Sequence, residues 1–138
     1  MPLSAARSEK ALLSAAGKRA DRWSKILLES SQQSRRIRVP FLAELVKPEK
    51  AFASDKEGLR VMLSERPDAP SIRKVLEGQR QTKASLAIGP EGGWTDAEFE
   101  AARRSGFQEA SLGQLILRTE TAVVAALASL NYALNLEQ

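Results

Sequence analysis

Three short runs set the frame of this chain: Arg60-Val61-Met62-Leu63-Ser64, Ser85-Leu86-Ala87-Ile88 and Glu109-Ala110-Ser111-Leu112. Each is apolar enough to read as a buried strand, and each is followed by loop residues and then by a helical pattern. Strands alternating with helices predict an α/β layer with a largely parallel sheet. The second and third runs lead into the glycine-bearing segments Ile88-Gly89-Pro90-Glu91-Gly92-Gly93 and Ser111-Leu112-Gly113-Gln114-Leu115-Ile116-Leu117-Arg118-Thr119-Glu120-Thr121-Ala122. Open α/β sheets bind ligands outside the C-terminal ends of their strands, so these two loops are expected to form a small-molecule site.

The elements around the runs follow from local chemistry. A helical signal becomes clear near Lys18, with Trp23, Ile26, Leu27 and Ser30 or Ser31 on one face and Arg22, Lys25, Glu29 and Gln33 on the other. Val39-Pro40 ends that region, because a residue before proline disfavours helix, and a short helix is expected over 41–46. Residues 65–70 have loop composition, and a helix is expected from Ser71 with Ile72, Val75 and Leu76 on its apolar side. Thr95 and Glu98 have the spacing of a capping box for a helix to about Ser105, with Gly106 ending it. Thr119 or Thr121 opens a last helix to Leu134, whose small residues Ala122, Ala125, Ala126 and Ser129 lie close to one face and are expected to let another backbone approach.

Composition narrows the chemistry. At 138 residues, 43% hydrophobic and 28% charged, one globular domain is expected. No apolar stretch reaches the roughly 18 to 20 residues that span a bilayer, so no membrane partner is expected. With no cysteine, disulfides and thiolate metal sites are excluded, no metal is expected, and the default location is cytoplasmic. With no histidine, every Ser-His arrangement is excluded and acid–base work falls to carboxylates, Lys, Tyr or Arg. Residues 1–38 hold nine Lys and Arg against three Asp and Glu, so the basic excess is N-terminal and suits either a polyanion such as RNA or a solvated helix face.

Gly89-Pro90-Glu91-Gly92-Gly93 is neither a Walker A loop nor a dinucleotide fingerprint, so nucleoside-triphosphate chemistry is not expected. Its glycines let the main chain approach a ligand, and Pro90 stiffens the turn. Arg118 interrupts an apolar run just before a helix start, which suggests that its charge is used; a salt bridge to Glu120 or Glu91 is the plain structural alternative. Glu120 equally suits the first turn of a helix, where a carboxylate meets the positive end of the dipole.

These segments, in this order, resemble the RsmE family of RNA methyltransferases, which modify N3 of a uridine in small-subunit (16S) ribosomal RNA. The resemblance extends upstream to Arg22-Trp23 with Ile26, to Gln33-Ser34 with Arg36, and to Val39-Pro40. It implies a SPOUT-type fold over residues 1–138: a mostly parallel sheet with helices on both faces and a C-terminal deep trefoil knot. It further implies S-adenosylmethionine as cofactor, 16S rRNA or the small ribosomal subunit as partner, and a homodimer. The cofactor pocket implied for this chain comprises Leu63, Ser64, Ile88, Gly89, Pro90, Glu91, Gly92, Leu112, Gly113, Ile116 and Leu117. Arg7, Arg22, Arg36 and Arg118 are the implied RNA contacts, and Arg118 and Glu120 the catalytic pair. In that reading Arg118 steadies the uracil anion or grips a neighbouring phosphate, and Glu120 or Glu91 accepts the N3 proton.

Two departures from the family pattern stand out. Leu115 occupies a position where the family usually carries arginine. The family's PUA-like RNA-binding domain, first strand and first helix have no counterpart ahead of Met1-Pro2-Leu3-Ser4, so an N-terminally truncated chain is expected. The rival expectation is a truncated, non-catalytic relative that binds cofactor, RNA or a partner without transferring methyl groups.

Overall fold

The structure, a computed structural model, describes residues 1–54 and 57–134. Strands β1 (Leu59–Leu63), β2 (Ala84–Ala87) and β3 (Gln108–Ala110) form a parallel sheet in the order β2-β1-β3. Val61 stands opposite Leu86 on one edge of β1 and opposite Gln108 on the other. Each strand begins one residue earlier than its apolar run and ends one or two residues sooner. Ser64, Ile88, Ser111 and Leu112 therefore lie just past the strand ends.

The chain crosses from β1 to β2 in one direction and from β2 over to β3 in the other. Right-handed crossovers then require the connecting helices to sit on opposite faces. They do: α3 (Ile72–Leu76) packs with Leu59, Val61 and Leu63, whereas α4 (Asp96–Arg104) packs on the Met62 side. The strand period of two produces this division, since alternate β1 residues point to opposite faces. The final helix, α5 (Thr119–Ala133), joins the α3 face through Ala126 and Leu130. On the Met62 face the core is aromatic, with Phe52 edge-on to Trp94 at 5.9 Å and tilted against Phe107 at 5.1 Å.

The capping box at Thr95 and Glu98 forms as its spacing predicts, and the helix it opens gives way to Gly106 at a positive φ. Three expectations are corrected. Helix α1 runs from Lys10 to Gln33, starting well before Lys18, because Ala and Leu in residues 11–16 favour helix without marking a polar face. It stops before Val39-Pro40, when Arg35 turns left-handed (φ 54°) and the Arg35 and Arg36 N–H groups bond back to the Gln32 and Ser31 carbonyls. Residues 41–46 are not helical: the Val46 N–H donates to Pro2 O at 3.3 Å and Val46 O accepts from Ser4 N at 2.8 Å, an isolated parallel bridge with the N-terminal segment. The helix comes later, as α2 (Pro48–Ser54), with Pro48 in the first turn where its missing N–H costs nothing.

The small-residue face of α5 is also reassigned. Ala126 is fully buried and Ala122 packs against the same core, so the close neighbour of α5 on this face belongs to this chain, with α3 lying against it. The large apolar residues of α5 that face outward are Val124, Leu127 and Tyr132. Ala126→Leu is therefore expected to overpack the core and lower stability by about 1–3 kcal/mol, read as a lower urea midpoint; wild-type stability would contradict this placement.

Candidate functional site

Because β1 has a partner on each side, the chain leaves its C-terminal end where the sheet order reverses, the usual place for a ligand crevice. The loops after all three strands meet there around a cleft of about 790 Å³, a volume in the range of small-molecule and cofactor sites. All eleven residues expected to hold a cofactor line it: Leu63 and Ser64, Ile88 through Gly92, and Leu112, Gly113, Ile116 and Leu117. Arg118 and Arg7 line it too. Glu120 does not; it sits exposed in the first turn of α5. Arg22 lies mid-way along α1 and Arg36 just past its C-terminal cap, both exposed and outside the cleft.

The walls are fixed by specific bonds. Trp94 is buried, and its indole N–H donates to the Leu63 carbonyl at 3.2 Å, tying the glycine loop to the end of β1. A Cβ on Gly89 would lie 3.0 Å from that indole nitrogen, so any larger residue would push the ring away from the loop by a few tenths of an ångström. Ser64 donates its N–H to Ala110 O at 2.9 Å and its hydroxyl to Glu109, which fastens the first loop to β3. The third loop is held to the first by Ser111, whose N–H donates to Pro70 O and whose carbonyl accepts from Ile72 N, both at 2.8 Å. At the rim Arg66 pairs with Asp96 and lies 3.8 Å over the Phe99 ring.

Arg118 forms no ion pair among the described residues, and neither do Glu91 and Glu120, so neither expected salt bridge is present. Arg118 is exposed, precedes α5, and is free to meet an anion at the cleft. Arg7, one of the implied RNA contacts, donates through Nη1 to the carbonyls of Gly92 at 3.1 Å and Trp94 at 3.3 Å. Sequence reasoning missed the roles of Trp94, Arg66 and Phe99; a tryptophan directly after a glycine pair was the available signal for the first.

The buried carboxylate of Glu98 closes the back of the glycine loop. It accepts from Thr95 N at 2.8 Å, from the Thr95 hydroxyl at 2.9 Å and from Ala6 N at 2.9 Å. Burial pushes its pKa up, but the bonds from Thr95 and Ala6, helped by the charge of Arg7, outweigh it and hold the pKa below the ordinary 4.5.

The RNA methyltransferase domain family matches residues 1–131. This chain belongs to that family. Among its relatives, the Ribosomal RNA small subunit methyltransferase E of Synechocystis sp. is 36% identical over 129 residues, covering 90% of this chain and 42% of the relative. The Bacillus subtilis protein of the same name is 33% identical, covering 96% of this chain and 54% of its own length. The solved methyltransferase E of Neisseria gonorrhoeae bound to S-adenosyl methionine superposes with a TM-score of 0.82 at 31% identity, covering 96% of this chain and 53% of that one. A Legionella pneumophila methyltransferase in complex with the same cofactor gives 0.84 at 30% identity, covering 97% and 55%. The chain thus spans about half the length of the relatives it matches.

A carboxyl with a lowered folded-state pKa contributes stability that is fully present above its unfolded value and lost as pH falls through the folded one. Wild-type stability should therefore fall as the solution is acidified below about 4.5, and Glu98→Gln should lose that part of the pH dependence while being less stable near neutrality. Parallel stability curves against pH for the two proteins would show that Glu98 is not held as a buried anion.

Proposed function

We propose that this chain is the catalytic part of an S-adenosylmethionine-dependent methyltransferase acting on N3 of a uridine in 16S ribosomal RNA, and that it works in the cytoplasm. The observation that carries the reading is the convergence of three strand-end loops on one cleft with an unpaired arginine, Arg118, at its edge. Family membership and the cofactor-bound relatives support the choice of cofactor. The cleft fits it: loop main chain with four glycines can meet adenine and ribose, and Leu63, Ile88, Leu112, Ile116 and Leu117 supply apolar walls. Among the described residues no cluster of acidic side chains suits a metal ion.

S-adenosylmethionine, when bound, supplies a methyl group already activated on a sulfonium. The chain's own residues then position the uracil and manage one proton. Before N3 can accept a methyl group its proton must leave, and that loss places negative charge on N3 and the uracil oxygens. Arg118 stabilises that charge as a preorganised donor. Glu91, which lines the cleft, is the better placed acceptor of the proton; Glu120 reaches it only if the substrate extends over the start of α5. Arg22 and Arg36, on the exposed basic arm formed by α1 and its C-terminal turn, hold RNA phosphates outside the cleft.

Two features of the assembly belong to the same reading. The segment after β3 passes beside the first loop at Ser111 and its helix α5 lies on α3, a course that fits the C-terminal knot of the SPOUT class. The outward stripe of Val124, Leu127 and Tyr132 suits the interface of a homodimer.

Arg118→Ala should reduce methyl transfer by about 100-fold or more, the scale of losing one preorganised donor, while its calorimetric affinity for S-adenosylmethionine stays within a few-fold of wild type. The assay is transfer of labelled methyl from the cofactor to small ribosomal subunits lacking the modification. Wild-type-like turnover by the variant would remove Arg118 from the mechanism. Cofactor binding without transfer by the unaltered chain would favour the non-catalytic alternative.

A further inference from the structure

We propose that Arg7 is a positioning residue for the glycine loop, holding residues 90–94 in the shape that makes one wall of the cleft. The inference rests on the cofactor reading given above and extends it to a side chain distant in sequence. Residues 5–7 dock against the loop and the helix behind it. Ala5 is buried in the Met62-side core, the Ala6 N–H donates to Glu98, and one nitrogen of Arg7, Nη1, donates to both Gly92 O and Trp94 O.

Two carbonyls two residues apart converge on a single cationic nitrogen, so rotating either flanking peptide breaks a charge-assisted bond. Arg7 forms no ion pair among the described residues; its charge also favours the Glu98 carboxylate behind the loop, while Nη1 is directed at these carbonyls. The main chain at Gly92 also lies flush on it: a Cβ there would come within 3.1 Å of the Arg7 Cβ. The turn itself is closed by one bond, Gly93 N to Pro90 O at 2.8 Å. The Trp94 indole ties the far end of the loop to Leu63, but adjacent glycines have the largest conformational freedom of any residues, so the peptides between the turn bond and that tie call for a further restraint. A wall fixed before the ligand arrives lowers the ordering cost of binding. Arg7 supplies that restraint, although its own guanidinium reacts with nothing.

The test uses the full chain as wild type, Arg7→Ala and Arg7→Lys, with S-adenosylmethionine titration by calorimetry and amide exchange in the free protein by NMR. Arg7→Ala should weaken the cofactor by about 10-fold or more, the scale of losing hydrogen bonds from a charged donor. It should also speed exchange of the Gly93 amide while the core amides of Val61 and Leu130 keep wild-type protection. In turnover the change should appear in the KM for cofactor with kcat little altered, a split that general destabilisation would not produce. Arg7→Lys, which keeps the charge but cannot reproduce the geometry of the guanidinium, should fall between the two and covers the case in which the alanine variant does not fold. Wild-type affinity in Arg7→Ala, with or without faster Gly93 exchange, would overturn the proposal, as would loss of protection spread evenly over the core. Absence of binding by the wild-type chain would overturn the cofactor reading alone, and Gly93 exchange would then decide the role of Arg7.

Discussion

Strand β1 is hydrogen-bonded along both edges to parallel neighbours, through Leu59–Met62 to β2 and through Val61–Leu63 to β3. Parallel partners need crossover connections, and one handedness of crossover in two opposite directions places helices on both faces. The same arrangement sends three successive loops to the same end of the sheet. Leu59, Val61 and Met62 are almost completely buried because β1 is covered on both faces and both edges, so the strand that anchors the core also fixes the floor of the cleft.

The cleft walls are bound to that floor by bonds made close to it. Trp94 reports directly to the Leu63 carbonyl, Ser64 to Ala110 and Glu109, and Ser111 to residues on either side of Ser71. The N-terminal segment is drawn into the same network through Ala6, Arg7 and the buried carboxylate of Glu98. Removing the Glu98 carboxylate would leave two donors of Thr95 at the start of α4 and the Ala6 N–H without their acceptor, and a buried unsatisfied donor costs about 1–3 kcal/mol. Local capping chemistry and the geometry of the site are here one set of bonds.

Much of this was legible from residue order. The Thr95 and Glu98 spacing located α4, the apolar runs located the strands to within two residues, and the glycines after them located the loops that line the cleft. What escaped was decided by tertiary contacts. Residues 41–46 have the composition of a helix, yet the Val46 backbone pairs with the chain at Pro2 and Ser4, a partner no local pattern reveals. Small residues on α5 are equally suited to a close neighbour of either kind, and only packing shows that Ala126 faces this chain's own core. Arg7 read as one cation in a basic segment because its acceptors, Gly92 and Trp94, lie more than eighty residues away. The eleven residues that the resemblance to the methyltransferase family implied for the cofactor all line the one cleft, while Glu120 stands outside it.

The central claim is that the three strand-end loops act together as one S-adenosylmethionine pocket. Backbone amide chemical-shift mapping of the labelled chain during titration with S-adenosylmethionine tests it most directly. Saturable shifts grouped at residues 63–66, 88–94 and 111–118, with α1 and α2 unmoved, are the predicted result. No saturable shifts, or shifts confined to one loop or centred on α1, would contradict it.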